Sequence, residues 1–265
     1  MNDEREPGIG QEPLTHLIQA GSDIAGGITG AAVGLLVAGP VGAIAGGMAG
    51  PSISHTLQKI GREISARVLG RREEKRVGGA LLFAARKIEA NRAAGQALRT
   101  DGFFAEQPDG RSPADEVVEG VLMVVQREHE ERKLPFYGNL LANLAFQAGY
   151  DRAQSNMLIQ LAQRLSYQRF CLLTLVVRKD RFQMRPSYRK EPRGASPAQV
   201  TALQQMLTLY QYGLVSDASN GVWLSLGDAV PGDAQLQWPG AALHNLMELW
   251  TAPPSDIREV AALFA

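Results

Sequence analysis

Residues 24–50 read IAGGITGAAVGLLVAGPVGAIAGGMAG, and the organisation of the chain turns on this stretch. Residues 21–50 hold 10 of the 28 glycines, and from Ile24 to Gln58 the only ionisable side chain is His55. A run of that length can span a bilayer, which needs roughly 20 apolar residues. Gly26, Gly30 and Gly34 lie four apart, as do Gly42, Gly46 and Gly50, with Ala38 extending the second row backwards. Four-residue spacing places small residues on one helical face. In lipid such a face lets two helix backbones approach closely, where Leu against Leu gains nothing over Leu against acyl chain.

Gly39 and Pro40 interrupt the middle. Pro40 lacks a backbone donor and clashes with the preceding turn, so a helix must kink or turn there. The spacing predicts a hairpin with its turn at Gly39-Pro40 and short arms at Ile24–Ala38 and Val41–Gly50. Fifteen helical residues cover about 22 Å, less than the ~30 Å hydrocarbon core, so the hairpin would sit partway in or insert on assembly. A kinked single span is the other membrane reading. A soluble Gly/Ala hairpin packed on the body and a flexible linker remain as alternatives. Against the linker stand the many Ile, Val, Leu and Met side chains in place of Ser, Asp and Lys.

The flanks differ in charge. Residues 1–23 carry five acids and one base, whereas residues 59–99 carry eleven bases and four acids. Bases beside an apolar segment favour the cytoplasmic side and anionic headgroups. The expected location is the cytoplasmic face of a bacterial inner membrane, with the cytoplasm as the alternative. The start, MNDEREP, is acidic and unlike the basic opening of a secretory signal. A single cysteine, Cys171, excludes an internal disulfide framework. The balance of 27 Lys+Arg against 27 Asp+Glu gives no global field that would draw nucleic acid.

Downstream the pattern is helical. Ile53, Leu57, Ile60, Ile64 and Val68 recur at three- and four-residue steps. Lys59, Arg62 and Arg67 flank that stripe, so it suits a membrane surface or a core-facing helix. A second helix is predicted from about Arg72 to Leu98. Phe103 and Phe104 are expected to anchor the loop over 100–112. Ser112-Pro113 with Asp115 and Glu116 opens a third helix, predicted to run into the charged Gln126–Lys133. Helices follow over Phe136–Ala148, from Asp151, and over Tyr167–Val177, with short connections as in an antiparallel bundle.

Residues 178–195 are basic with Phe182 and Tyr188 interleaved, which makes Arg181, Arg185, Arg189 and Lys190 candidate contacts for headgroups or nucleic acid; a solvated loop is the plainer reading. Ser196-Pro197 opens another helix, ended by Gly213. Leu214–Ser216 and Val222–Leu226 read as two short strands, and Pro239–Leu249 as a final helix. That order is winged-helix-like, and many winged helices bind only protein. The predicted architecture is therefore mainly α: a glycine-rich apolar hairpin, a helical bundle and a small C-terminal winged-helix-like module with a two-stranded wing. The expected boundaries are 1–20 polar, 21–51 hairpin, 52–178 bundle, 179–195 basic loop and 196–265 winged module.

Glu131–Leu173, with Lys133-Leu134-Pro135-Phe136-Tyr137-Gly138-Asn139-Leu140-Leu141-Ala142-Asn143-Leu144 and then Leu165-Ser166-Tyr167-Gln168-Arg169, resembles a family of uncharacterised bacterial proteins. The layout is similar to that of the abortive-infection alpha (Abi-alpha) proteins. These have a glycine-rich or apolar N-terminal part, a helix with a Leu-Leu-Ala core, a Leu-Ser helix start and a final winged module. The last of these fits Tyr212-Gly213-Leu214-Val215 followed by Pro239–Leu243. The likeness covers about half the chain. It departs at Gln237-Trp238-Pro239-Gly240, where the family has Leu-Thr-x-x-Gly. It implies no catalytic residue. It implies a role in defence against phage through damage to the host membrane.

No phosphate-binding glycine loop with its lysine, no nucleophile elbow and no histidine pair at ligand spacing occurs. Glu128-His129-Glu130-Glu131 has the composition of a metal or acid–base cluster, but adjacent helical residues point apart, so a solvated face is expected. Cys171, among Phe170, Leu172 and Leu173, reads as a buried inert thiol. The expectation is a protein that is not an enzyme, with no cofactor and no metal, whose partners are a membrane and further copies of itself. A soluble regulator that binds nucleic acid or a partner protein is the alternative.

Overall fold

Helix α1 spans Ile53–Ser65, and Ile53, Leu57, Ile60 and Ile64 on its one apolar stripe are all buried. The computed structural model describes residues 53–65, 69–185, 196–219 and 221–265. The glycine rows (Gly26, Gly30, Gly34, Gly42, Gly46, Gly50) and the turn at Gly39-Pro40 lie outside the described residues, as do Val68, Arg189 and Lys190. The stripe of α1 faces the protein core, not a membrane surface. Lys59 on its flank reaches Asp115 at 2.8 Å. The uncharged run that extends to Gln58 therefore includes the first turn and a half of a core helix.

Helix α2 (Arg71–Ala93) starts where the Glu73 carboxylate accepts the Gly70 amide at 2.7 Å. It buries Val77, Leu81, Ala84 and Ile88. It stops short of the expected Leu98, because Gly95 takes φ 78 and turns the chain. In the loop that follows, Phe103 and Phe104 are buried and meet edge-to-face at 5.2 Å, as their sequence position implied. The Arg99 guanidinium lies 4.1 Å over the Phe103 ring and donates to the Leu144 carbonyl at 3.2 Å.

Helix α3 (Pro113–Arg127) opens with a reciprocal cap. Ser112 Oγ accepts the Asp115 amide, and the Asp115 carboxylate accepts the Ser112 amide, each at 3.1 Å. It ends at Arg127 instead of running to Lys133, because Glu128 adopts an extended ψ of 120. A 3-10 turn over Glu131–Lys133 then leads into α4 (Leu134–Leu144). Helix α4 crosses α2 at Gly138, where a Cβ would stand 2.4 Å from Phe83 Cβ and 2.9 Å from the Ala84 nitrogen. The glycine is required by this approach. Helices α5 (Arg152–Arg164) and α6 (Tyr167–Val177) follow, capped by Asp151 and Ser166.

Helix α7 (Pro197–Gln211) leads through Gly213 (φ 67) into β1 (Val215–Asp217). The partner strand β2 is Ala234–Leu236, antiparallel, with Ser216 opposite Gln235. This corrects the expected pairing, which put the second strand at Val222–Leu226. Side chains there take over the ladder's role. The Leu224 and Ser225 amides donate to the Asp228 carboxylate at 3.2 and 3.0 Å, and Trp223 Nε1 donates to Asp217 at 2.9 Å. Trp223 also stacks on Tyr210 at 5.1 Å, so the segment is an anchored loop. Helix α8 (Trp238–Leu246) is shorter than the expected Pro239–Leu249. Glu248 at φ 54 ends that turn, and a further helix, α9 (Pro254–Ala262), closes the chain.

The buried side chains from Ile53 to Phe264 form one cluster. Polar ties fasten α4 and α6 to the turn after α8. Asn143 and Asn139 donate to the Leu246 and Met247 carbonyls at 2.8 and 3.1 Å, which satisfies the C-terminal turn of α8. Thr174 Oγ1 donates to the Leu249 carbonyl at 3.0 Å. The described part is thus mainly helical, with one small two-stranded sheet.

Candidate functional site

The break between α3 and α4 sets charged residues into the protein. Glu128 and Lys133 are buried at 6% and 1% exposure and form a direct ion pair. The solvated face expected at Glu128-His129-Glu130-Glu131 holds at His129 and Glu131, which are exposed, and fails at Glu128. Because the helix ends at Arg127, Glu128 turns inward while His129 stays in solvent. Lys133 Nζ lies 5.4 Å above the Phe170 ring and 5.5 Å above that of Tyr137. The Tyr137 hydroxyl donates to the Ala162 carbonyl at 3.1 Å, with the Glu128 carboxylate 3.5 Å away. Burial, with Glu128 beside it, pushes the Tyr137 phenol well above its ordinary range. The second carboxylate, Glu130, accepts the Tyr167 amide at 3.0 Å and so caps α6.

Above this ion pair lies a cleft of about 390 Å³ between the end of α3, the end of α5 and the start of α6. Its floor is Glu128 and Lys133, and its walls include Arg127, Arg164, Arg169 and Ser166. Arg169 Nη1 donates to the Arg164 carbonyl at 3.0 Å, while its Nε is shut off from solvent without a hydrogen-bond partner. Behind the cleft, Asp256 at the start of α9 pairs with Arg132 and accepts the Tyr167 hydroxyl at 2.6 Å. The Arg132 guanidinium lies 4.2 Å over the Tyr167 ring. The C-terminal helix is thereby joined to the residues that shape the cleft.

The basic stretch is dispersed. Lys179 and Arg178 donate to the Ala234 and Trp250 carbonyls, each at 2.9 Å. Arg185 bonds the Ala265 carbonyl at 2.9 Å through Nε, and Arg181 is exposed. Of the four residues singled out from this stretch, only Arg181 and Arg185 are described, and Arg185 holds the end of the chain. Cys171 is buried, and burial pushes its thiol up to about 12. It is held protonated, as an inert core thiol requires. Among the described residues, no group of three or more His, Cys, Asp or Glu side chains is placed to hold a metal ion. His55, His129 and His244 lie apart in α1, the α3–α4 turn and α8.

Sequence reasoning missed the Glu128–Lys133 pair because the two residues are five apart, which is not a helical neighbour spacing. The available signal was the junction itself: charges directly before Leu134-Pro135-Phe136, where a proline-led helix must begin. No protein-family model, curated protein or solved structure matches the chain. Among the described residues, no helix is long and apolar enough to cross a membrane.

Proposed function

We propose that this is a non-enzymatic, membrane-associated bacterial protein whose residues 24–50 pack against copies of themselves in lipid. The observation that carries the reading is the run without Asp, Glu, Lys or Arg between Asp23 and the core helix α1, with glycines at four-residue spacing. Its membrane-proximal side is the cytoplasmic face of the inner membrane, where exposed Arg71 and Arg72 follow the run and suit anionic headgroups. The helical body assembles or senses. Its α7–β1–β2–α8 part serves as a winged-helix-like module for protein contact. The similarity to abortive-infection alpha proteins makes membrane leakage on overexpression the effect to measure.

The charge of the C-terminal module supports protein contact over nucleic acid. Residues 196–265 contain one Arg or Lys, Arg258, against six carboxylates: Asp217, Asp228, Asp233, Glu248, Asp256 and Glu259. Phosphate contacts draw on Lys and Arg, and α7 carries no charged residue at all.

Gly30→Leu with Gly46→Leu tests the packing. Leu raises the hydrophobicity of the segment, so membrane binding should persist. Each side chain would also hold facing backbones apart, so crosslinked oligomers and leakage should fall. Unchanged oligomers and leakage would contradict the packed-glycine mechanism.

A further inference from the structure

We infer that the cleft between α3, α5 and α6 binds a phosphoryl anion through Arg127, Arg164 and Arg169. The two carboxylates at the cleft are already engaged. Glu128 is paired with Lys133, and Glu130 accepts the Tyr167 amide. The Glu128–Lys133 floor is therefore close to neutral, and the three guanidinium groups outweigh the one further carboxylate, Glu130. Arg127 and Arg164 are exposed on the cleft walls, with Glu73 the carboxylate that interacts with Arg127 from α2. Guanidinium groups lining one cleft repel each other, and a bound anion removes that repulsion.

Arg169 lines the same cleft and is oriented there by the backbone. Its Nη1 is fixed on the Arg164 carbonyl at 3.0 Å, and its enclosed Nε has no acceptor. Guanidinium groups present paired N–H donors that match the oxygens of a phosphate. At about 390 Å³ the cleft has room for a phosphomonoester or a glycerophosphate headgroup, and its openness to solvent admits either a free anion or a lipid's headgroup. The shared chemistry is the phosphoryl group.

The test titrates the full chain in nonionic detergent with inorganic phosphate and with glycerol 3-phosphate, by calorimetry at low ionic strength. Arg127→Gln with Arg164→Gln is the informative variant, since both side chains are exposed. Arg258→Gln, exposed on α9 and outside the cleft lining, is the control. We expect saturable binding that weakens by roughly tenfold or more in the double variant and is unchanged in the control. No binding at millimolar phosphate, or equal affinity in the double variant, overturns the inference.

Flotation with phosphatidylcholine vesicles, with and without phosphatidylglycerol, identifies the source. Loss of the preference for phosphatidylglycerol in the double variant assigns the site to a headgroup. A retained preference assigns it to a free anion. Failure of the membrane reading appears separately, as absence of flotation with neutral vesicles, and leaves the phosphate titration untouched.

Discussion

A lysine at 1% exposure is held by one carboxylate and two aromatic faces. Replacing Lys133 with Met leaves Glu128 buried without its counter-ion, which should cost about 3–5 kcal/mol in urea unfolding. Adding Glu128→Leu removes the stranded charge and should recover most of that loss. A double variant as unstable as the single one would show that the pair is not the source of the cost. His244 gives a pH-dependent counterpart. It is buried, its Nε2 has no partner, and burial lowers its pKa from the ordinary 6.5, with Arg178 adding to the effect and Asn245 opposing it. The folded protein therefore takes up the proton less readily than the unfolded chain. The stability linked to His244 is complete above 6.5 and is lost as pH falls through the lowered folded value. His244→Gln should flatten the fall of the urea midpoint below that pH, and an unchanged slope would contradict the assignment. Neither residue was legible as buried. Lys133 sits among charges in the sequence, and the break of α3 at Glu128 turns Glu128 and Lys133 alone of that cluster inward.

At the scale of elements, the close crossing of α2 and α4 uses a glycine outside the conspicuous rows. Gly138 lets α4 settle on Phe83, Ala84 and Ala80 of α2. Gly138→Ala places a methyl group inside that contact, part of it against backbone, and should destabilise by about 1–3 kcal/mol through overpacking. Gly149→Ala, with nothing within 4 Å of its new Cβ, is the control and should be near neutral in the same denaturation series. The helices themselves were readable. Ser112, Asp151, Ser166 and Ser196 each accept an amide from three residues on, and the stripes of α1 and α2 are buried as their spacing implies. The second strand was not readable. Val222–Leu226 is an apolar run suited to a strand, yet Asp228 captures the Leu224 and Ser225 amides, and the ladder forms at Ala234–Leu236. Helix α9 went unanticipated because Pro253-Pro254 reads first as a break, whereas Pro254 is its opening residue.

For the whole molecule, the separation between a lipid-facing segment and a folded body is the central claim. The described core runs from Ile53 to Phe264 as one cluster. The membrane half of the account was legible only as composition and spacing, since an uncharged glycine-rich run is consistent with lipid packing, a soluble hairpin or a linker. Residues 24–50 can therefore be removed and the consequences read on both halves. Alkaline carbonate extraction of membranes from cells that express the full chain or the chain lacking residues 24–50, followed by urea unfolding of the purified deletion protein, is the most direct measurement. The account predicts that the full chain stays in the membrane pellet. The shortened chain should be released and unfold in one cooperative transition. Release of the full chain by carbonate, or loss of cooperative unfolding in the shortened one, would contradict it.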